Sequence, residues 1–322
     1  MLFKHGPMLE ITTPSRIHIT LLDLNASIGR MDGGLGLALD RPGIRLKAVK
    51  GREITVKGPL KDRCAEAAKI VMRQLGVQDG INITVDEAFP QHVGLGSGTQ
   101  IALAAGSAVA RLYGVELKVR DVARIVGRGG TSGIGVAAFE EGGFILDGGH
   151  SLKVKKNFKP SSVSRAPPPA VITRHDFPDW KLALIIPREG VCFSGAREIN
   201  VFKKYCPIPL TEVQKLSHVI LMKLLPALVE EDIDAFGKAV NMVQRVGFKR
   251  IEVELQHPRV RKLLGTAQKH SYGAGISSFG PVIYCLPKDE NKLLDSIPAR
   301  EANVIFTKAS NKGARFKGSE NE

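Results

Sequence analysis

The sequence predicts an α+β fold in two domains, because in each half of the chain the predicted strands come first and the helices follow. The first half opens with alternating apolar and polar residues, a pattern typical of half-buried strands. The second half opens with an apolar strand at residues 182–186. Between them, residues 153–170 lack periodicity and are rich in Lys, Ser and Pro, as in linkers and long loops. We therefore predict domains at residues 1–160 and 161–322.

The first half contains most of the predicted strands. They fall at residues 9–13, 16–24, 35–39, 44–49, 54–56, 81–86 and 143–146. Pro14 should separate the first two of them. In the second, Arg16 and His18 share a polar face, which is either a solvent face or the wall of a site. Helical spacing predicts helices at residues 65–75, 99–113 and 119–126, the first two ending at Gly76 and Gly114.

The loop at residues 90–100, between a predicted strand and a predicted helix, indicates a phosphate-binding site. It contains three glycines and two hydroxyl residues: Gly94, Gly96, Ser97, Gly98 and Thr99. Glycines let backbone N–H groups approach an anion, and the helix presents its free donors and positive dipole end at the same place. The loop lacks the Gly-Lys-Ser/Thr of a Walker A loop and the third glycine of a dinucleotide fingerprint. The alternative is a tight turn with Thr99 as N-cap.

The second half is mainly helical. We expect one helix from about residue 212, with a kink or break at Pro226, and further helices at residues 233–243 and 259–270. Strands should follow at residues 282–286 and 304–307. The tail beyond them is rich in Lys, Gly and Glu, and we expect it to be frayed.

Composition narrows the class of protein. With 43% hydrophobic and 24% charged residues, the chain is typical of a globular protein, and it has no apolar run of the roughly 20 residues that cross a bilayer. Residues 1–7 lack a secretory h-region, so we expect a cytoplasmic location. Four widely spaced cysteines, including Cys192, should be reduced, buried thiols. The formal net charge of +14 fits either nucleic acid or small anionic substrates as partners.

Three stretches resemble the motifs of the GHMP kinases (galacto-, homoserine, mevalonate and phosphomevalonate kinases), in order and in rough spacing. They are residues 14–18 (Pro-Ser-Arg-Ile-His), 90–100 and 273–281. In the middle motif, Pro-x-x-x-Gly-Leu-Gly-Ser-Ser, the matching residues are Pro90, Gly94, Leu95, Gly96 and Ser97. The resemblance implies an N-terminal domain like domain 2 of ribosomal protein S5, a ferredoxin-like C-terminal domain, and the phosphate loop between them.

The departures from the kinase pattern are informative. Gly135 stands where these kinases often carry the aspartate that deprotonates the acceptor hydroxyl, and Gly98-Thr99 replaces the second serine of the loop motif. Residues 15–25 and 94–100 resemble instead a non-kinase branch, the β-ribofuranosylaminobenzene 5′-phosphate synthases. That resemblance implies a Mg²⁺-dependent homodimer of the methanopterin pathway. Such an enzyme joins phosphoribosyl pyrophosphate to 4-aminobenzoate, or to 4-hydroxybenzoate, and releases pyrophosphate and carbon dioxide.

The resemblance also implies the site residues. We expect Arg16, His18 and Asp23 to be catalytic, with Arg16 binding an anion and His18 orienting substrate or donating a proton. The loop residues named above should bind phosphate or pyrophosphate, and Ser97, Thr99 and Asp23 should hold Mg²⁺. The remaining candidates for substrate binding are Arg30, Asp32, Arg128, Ser132, Arg245 and Lys249.

Two other functions remain open from the sequence. A working small-molecule kinase would need another base, such as Asp23 or Asp147. A basic nucleic-acid-binding protein would use its S5-like first domain and bind RNA or DNA with steep salt dependence.

Overall fold

The computed structural model describes residues 7–161, 163–188 and 196–319, and Cys192 lies outside them. In this part of the chain the strands are Met8–Asp23 (β1), Arg30–Gly51 (β2), Thr55–Lys57 (β3), Gly80–Glu87 (β4), Phe144–Asp147 (β5), His150–Ser151 (β6), Val171–His175 (β7), Leu182–Pro187 (β8), Ser271–Ile276 (β9), Ile283–Pro287 (β10), Ala302–Thr307 (β11) and Arg315–Ser319 (β12). The helices are Lys61–Leu75 (α1), Ser97–Leu112 (α2), Val119–Ile125 (α3), Ile134–Glu140 (α4), Ala196–Tyr205 (α5), Leu210–Val219 (α6), Leu225–Val229 (α7), Ile233–Val243 (α8), Gly247–Glu254 (α9), Pro258–His270 (α10) and Glu290–Ser296 (α11).

The first sheet is built around the antiparallel pair of β1 and β2. Its strand order is β12-β1-β2-β4-β3, and β5, β6 and β7 extend it beside β2. Most of its pairings are antiparallel, and β3 runs parallel to β4. The helices α1 and α2 pack together, and the buried alanines of α2 let that helix lie close to its neighbours.

The second sheet has the strand order β11-β8-β10-β9, with all neighbours antiparallel. In sequence order this is 4-1-3-2, with helices between its first and second strands and α11 between its third and fourth. Helix α10 and this sheet share a core that includes Val260, Leu264, Ile185 and Ile283. The expected α+β class and the ferredoxin-like second half are confirmed.

The strands are longer than the sequence indicated. Strand β1 continues through Pro14, where a register shift in its pairing with β2 absorbs the predicted break. Strand β2 also continues through the turn-like residues 40–43. The tail predicted to fray forms β12, which pairs with residues 8–12 of β1. Together, β12 and β7 bring segments from beyond residue 160 into the first sheet, and the division at that residue stays a prediction.

Several helical details were also missed or refined. Helices α4, α5, α9 and α11 were not foreseen, because each has ten residues or fewer and too few turns to show a clear helical period in the sequence. A kink or break was expected at Pro226, but the backbone stays helical there, and the irregularity is a π-helical turn at Ile220–Leu224 that precedes α7, with Pro226 in the first turn of α7. Segment 153–170, predicted as a linker or loop, is tied to the glycine loop at residues 127–133, because Thr131 Oγ1 donates to the carbonyl of Lys159 at 2.6 Å.

Candidate functional site

The three sequence motifs meet at one place, where β1, the loop at residues 90–96 and the turn after β9 contact one another. Ser277 connects all three, because its Oγ donates to the carbonyl of Gly94 at 2.7 Å and accepts the N–H of His18 at 3.0 Å. The N–H of Arg16 donates to the carbonyl of Leu95 at 3.1 Å, and Nη1 of Arg16 donates to the carbonyl of Gly94. The first strand and the second sheet therefore both fix the loop.

The glycine loop leads directly into α2, as expected for a phosphate cradle. The helix begins at Ser97, its N-cap is Gly96, and no side chain caps it, so Thr99 is not the N-cap. Gly94 and Gly96 have φ of 99° and 83°, which L side chains rarely adopt. A Cβ at Gly94 would lie 2.3 Å from the carbonyl oxygen of Ser277. The loop conformation therefore requires glycine. The N–H of Thr99 donates to the carbonyl of Gly96 at 3.0 Å, and the N–H groups of Ser97 and Gly98 have no partner among the described residues and are available to a ligand.

Two adjacent cavities share one wall made by Arg16, Thr99 and Arg128, together with Glu198, Ser278 and Phe279. The first, the loop cavity, is also lined by Arg63, Gln91 and His92 and by the loop residues Gly94, Gly96, Ser97 and Gly98. The second, the aromatic cavity, is also lined by His18, Leu21, Phe202, Ser132 and Glu252. One cavity is therefore suited to an anion, and the other combines apolar side chains with a few polar groups.

The aromatic cavity takes its wall from helices that sequence reasoning did not connect with the site. Phe202 of α5 lies 5.0 Å from the ring of Phe248 in α9 and 6.3 Å from that of Phe279. The same two helices supply Glu198 and Glu252. Phe279 belongs to the third sequence motif, but the other four residues belong to none. They come from α5 and α9, and only the fold brings them together.

Burial changes the proton affinity of the two basic residues on β1. Burial lowers the pKa of Arg16 to about 10, although Glu198 and Glu252 raise it, so the guanidinium stays charged. Burial, with Arg16 and Lys249 nearby, lowers the pKa of His18 well below its ordinary value, so its imidazole is neutral. His18 is 6% exposed, and its Nδ1 has no hydrogen-bond partner among the described residues. A buried ring nitrogen without a partner, in a side chain that lines a cavity, suits a polar group of a ligand.

Ser132 is held at the aromatic cavity by Asp147, which is fully buried. Oδ2 of Asp147 accepts a hydrogen bond from Ser132 Oγ at 3.1 Å and from the N–H of Gly133 at 2.9 Å, and Oδ1 accepts from the N–H of Gly149. Burial raises the pKa of Asp147 to about 6, although these donors lower it. Asp147 therefore positions the second glycine loop.

Asp32 is placed in a buried charge network away from both cavities. Its Oδ2 accepts a hydrogen bond from Lys155 Nζ at 2.9 Å and lies 2.7 Å from His150 Nδ1. Lys155 also donates to the carbonyl of Gly130, and His150 Nε2 lies 2.8 Å from the carbonyl of Pro167. Asp32 thus joins segment 150–167 to the glycine loop at residues 127–133.

The remaining sequence candidates lie at the margins of the site. Asp23 accepts the N–H groups of residues 25 and 26 in a turn, at 2.7 and 2.9 Å, and lines neither cavity. Arg30 is exposed and donates to the carbonyls of residues 148 and 149. Arg245 is exposed and lines neither cavity. Lys249 is fully buried, pairs with Glu252, and donates to the carbonyls of Ile276 and Ser278, so it supports the third motif.

The oxygen donors at the loop cavity fit Mg²⁺ if Glu198 takes the place of Asp23 in the predicted set of ligands. Ser97 and Thr99 line that cavity, as expected, and Glu198 is the carboxylate that lines it with them, whereas Asp23 does not. Oxygen ligands and retained waters are what Mg²⁺ prefers. Within residues 7–161, 163–188 and 196–319, no cluster of three His, Cys, Asp or Glu side chains could hold a metal alone. A metal here would need ligand oxygens.

Within residues 7–161, 163–188 and 196–319, no helix is long and apolar enough to cross a membrane.

Comparison with known proteins agrees with this geometry. Residues 62–143 match the GHMP kinases N terminal domain, and residues 224–299 match the GHMP kinases C terminal domain. The solved phosphomevalonate kinase of Streptococcus pneumoniae superposes with a TM-score of 0.72 at 12% identity, over 95% of this chain and 100% of that one. At such low identity this likeness shows the fold.

Curated relatives are much more similar. A β-ribofuranosylphenol 5′-phosphate synthase from Archaeoglobus fulgidus is 48% identical over 96% of this chain and 99% of its own. One of the same name from Methanothermobacter thermautotrophicus is 45% identical over 95% of this chain and 98% of its own. The resemblance found in the sequence motifs is thereby confirmed over nearly the whole length. The chain belongs to the β-ribofuranosylphenol 5′-phosphate synthase family, within the GHMP kinase superfamily.

Proposed function

We propose that this protein is a decarboxylating pentosyltransferase of methanopterin biosynthesis. It condenses phosphoribosyl pyrophosphate with 4-hydroxybenzoate or 4-aminobenzoate and releases pyrophosphate and carbon dioxide. The observation that carries the proposal is the pair of cavities that meet at Arg16, Thr99 and Arg128. One is a glycine-loop and arginine site for a diphosphate, and the other accepts a flat aromatic ring. The names of the relatives specify a phenol product, which favours 4-hydroxybenzoate as the acceptor.

The reaction needs stabilisation of charge more than proton transfer. The bond from the ribose C1 to the pyrophosphate oxygen breaks, and the ring carbon that bears the carboxylate forms a bond to C1. The bond to carbon dioxide then breaks, and its electron pair restores the aromatic ring. Preorganised donors at the leaving oxygen are the largest contribution that a site can make to such a step. The N–H groups of the loop and the charged Arg16 and Arg128 supply them.

Mg²⁺ bound with the diphosphate would neutralise its charge and favour its departure. Ser97, Thr99 and Glu198 are the residues that would hold it, with the diphosphate oxygens completing the ligands.

The aromatic cavity can also activate the acceptor. Phe202, Phe279 and Leu21 form its apolar surface, which suits a benzene ring. Glu252 and His18, whose Nδ1 has no partner among the described residues, line the same cavity. Either can accept a hydrogen bond from a para hydroxyl, which increases the electron density at the attacking ring carbon. Arg16 and Arg128 lie at the junction, where the acceptor carboxylate would be held until it leaves.

The kinase alternative lacks, among the described residues, the aspartate that serves as base in those kinases. Gly135 lines the aromatic cavity where the kinase aspartate would stand, and a Cβ there would lie 3.2 Å from Thr99 Cγ2. Of the two possible substitutes, Asp147 is occupied by three donors and Asp23 by its own turn. Neither lines either cavity.

The test uses purified full-length protein, Mg²⁺, phosphoribosyl pyrophosphate and 4-hydroxybenzoate or 4-aminobenzoate labelled at the carboxyl carbon. We expect labelled carbon dioxide only when both substrates are present, with the hydroxy acid preferred. ATP with candidate alcohols runs in parallel. ATP turnover without label release would contradict the proposal and favour a kinase. If neither carbon dioxide release nor ATP turnover is detected, the nucleic-acid alternative would be tested by RNA binding at several salt concentrations.

A further inference from the structure

Three arginine side chains line a third cavity next to the phosphate loop, the arginine cavity. They are Arg63 of α1, Arg128 of the second glycine loop and Arg165 of the segment before β7. Two of them, Arg63 and Arg128, also line the loop cavity. The arginine cavity is therefore continuous with the predicted diphosphate site through shared side chains, although no sequence motif includes Arg63 or Arg165.

These cations have no counter-charge that matches them. Within the described residues, none of the three guanidinium groups forms a hydrogen bond or an ion pair, and the Nε of Arg128 is buried without a partner. Burial lowers the pKa of Arg128, and the positive charges of Arg63 and Arg165 lower it further, while Glu66 raises it. Among the described residues, Glu66 is the one carboxylate that lines the cavity. Arg63 and Arg128 are half-buried and Arg165 is exposed. Clustered cations repel one another unless an anion joins them.

Both glycine loops lie close to this cluster as well. A Cβ at Gly98 would lie 2.4 Å from Arg63 Nη1, and a Cβ at Gly127 would lie 2.7 Å from Arg165 Nη1. Two guanidinium groups thus lie against glycine backbone, one in each glycine loop. Guanidinium forks bind phosphate oxygens in pairs, and nearby glycine N–H groups can add to them.

We propose that the arginine cavity is a second phosphate subsite, which binds one phosphate group of the substrate while the glycine loop binds another. The inference rests on the proposed function, because phosphoribosyl pyrophosphate carries a 5′-phosphate monoester and a diphosphate. The 5′-phosphate and the distal phosphate of the diphosphate present the same chemical group to the arginines, a terminal phosphate with three free oxygens. The 5′-phosphate and the distal phosphate of the diphosphate can be distinguished by experiment.

The test is isothermal titration of the full-length protein with ribose 5-phosphate and, separately, with pyrophosphate and Mg²⁺. Arg165→Ala and Arg63→Ala should each weaken one of the two ligands by about 10- to 100-fold, the loss expected for a charge-assisted hydrogen bond. Loss of ribose 5-phosphate binding assigns the 5′-phosphate, and loss of pyrophosphate binding assigns the distal phosphate. Arg165→Lys should recover part of the affinity, because it keeps the charge without the fork.

The control is Arg73→Ala, which removes the same charge from an exposed position of the same helix as Arg63. It should leave both affinities within about twofold, since exposed distant charges are screened. Unchanged binding in Arg165→Ala and Arg63→Ala, or an equal loss in Arg73→Ala, would overturn the subsite. So would wild-type protein that binds neither ligand. Protein that binds both phosphates but releases no carbon dioxide would refute the proposed reaction and leave the subsite standing.

Discussion

Two groups of charged side chains surround the second glycine loop, and they differ in how their charge is balanced. Asp32, His150 and Lys155 are nearly or fully buried and contact one another, with hydrogen bonds to the surrounding carbonyls. Around the arginine cavity, Arg63, Arg128 and Arg165 face space without a hydrogen-bonded partner in the described chain. In the first group both cations pair with Oδ2 of Asp32, although its Oδ1 has no hydrogen-bond partner among the described residues. In the second group no described carboxylate pairs with the arginines.

This difference teaches which charged residue near a glycine turn supports the fold and which binds. A buried charge whose partners are all supplied by the chain holds segments together, and its removal exposes those partners to an unfavourable environment. Cations clustered without partners do not stabilise the fold, so an anionic ligand is the better explanation for their position. Four changes can break or sharpen this contrast.

The largest effect should come from Asp32→Asn. Asparagine tolerates the φ of 67° at this position, so the change removes the charge and keeps the backbone. Lys155 and His150 then remain buried without their carboxylate, and we expect a loss of about 3–5 kcal/mol in the free energy of unfolding. Urea denaturation measures it. The control is Asp40→Asn at an exposed ion pair with Arg41, which should cost less than about 1 kcal/mol. Equal costs at both positions would remove the contrast.

Arg128→Ala should produce the opposite pattern, with little effect on stability and a large one on binding. Its guanidinium has no partner to lose, and removing it relieves repulsion from Arg63 and Arg165. We expect unfolding within about 0.5 kcal/mol of wild type and a KM for phosphoribosyl pyrophosphate raised about 10- to 100-fold. Arg245→Ala, at an exposed position that lines neither cavity, is the matched control. A destabilised Arg128→Ala with normal KM would place Arg128 in the structural group.

A neutral change at the loop tests whether charge is the deciding feature. Ser97→Ala with Thr99→Ala removes two hydroxyls, of which Ser97 Oγ makes one long contact to the carbonyl of Pro90, at 3.4 Å. Each hydroxyl should contribute about 0.5–1.5 kcal/mol to binding the diphosphate and its metal, so kcat/KM should fall about tenfold. Circular dichroism and urea titration check the fold. Wild-type kcat/KM in this folded double variant would remove the hydroxyls from the mechanism.

The sequence predicted the centre of the site better than its walls. Arg16, His18 and the loop glycines belong to contiguous motifs, so their proximity follows from short-range patterns that the second sheet then joins through Ser277. Phe202 and Glu252 come from α5 and α9, and only the tertiary fold brings them to the cavity. The α+β class was predictable because the periodicity that indicates strands and helices is a local property of the sequence. The pairing of β12 with β1 was not predictable, because it joins strands from opposite ends of the chain.

Charge balance was the property that the sequence could least predict. Asp32 flanks a Gly-Gly turn and was a candidate for substrate binding, yet its partners His150 and Lys155 are more than a hundred residues away. Lys249 lies two residues after Gly247 and was also considered a candidate, but it is buried against Glu252. Whether a charge is paired depends on such distant contacts.

Asp147 combines features of the two groups. The chain supplies the donors to both of its carboxylate oxygens, and one of these donors, Ser132, lines the aromatic cavity. Burial raises its pKa from 3.8 to about 6, so the carboxylate takes up a proton as the pH falls through 6. A protonated carboxyl cannot accept all three donors, and the glycine loop that carries Arg128 and Ser132 should loosen. At pH 6 half of the molecules carry the proton, so kcat/KM should be about twofold below its plateau.

Asp147→Asn should remove this acid limb, because the amide resembles the protonated carboxyl at every pH. In the wild type, the free energy of unfolding should depend on pH in the opposite direction to kcat/KM. Because the pKa of Asp147 is raised in the folded state, its contribution to stability is present below pH 3.8 and is lost as the pH rises through about 6. A substrate phosphate also titrates near pH 6, so the measurement is the difference between the wild-type and Asp147→Asn profiles of kcat/KM. Superimposable acid limbs would show that the substrate titrates and that Asp147 only supports the fold. A limb present in the wild type alone would show that a fully paired carboxylate can also control the site, through the side chain that it holds.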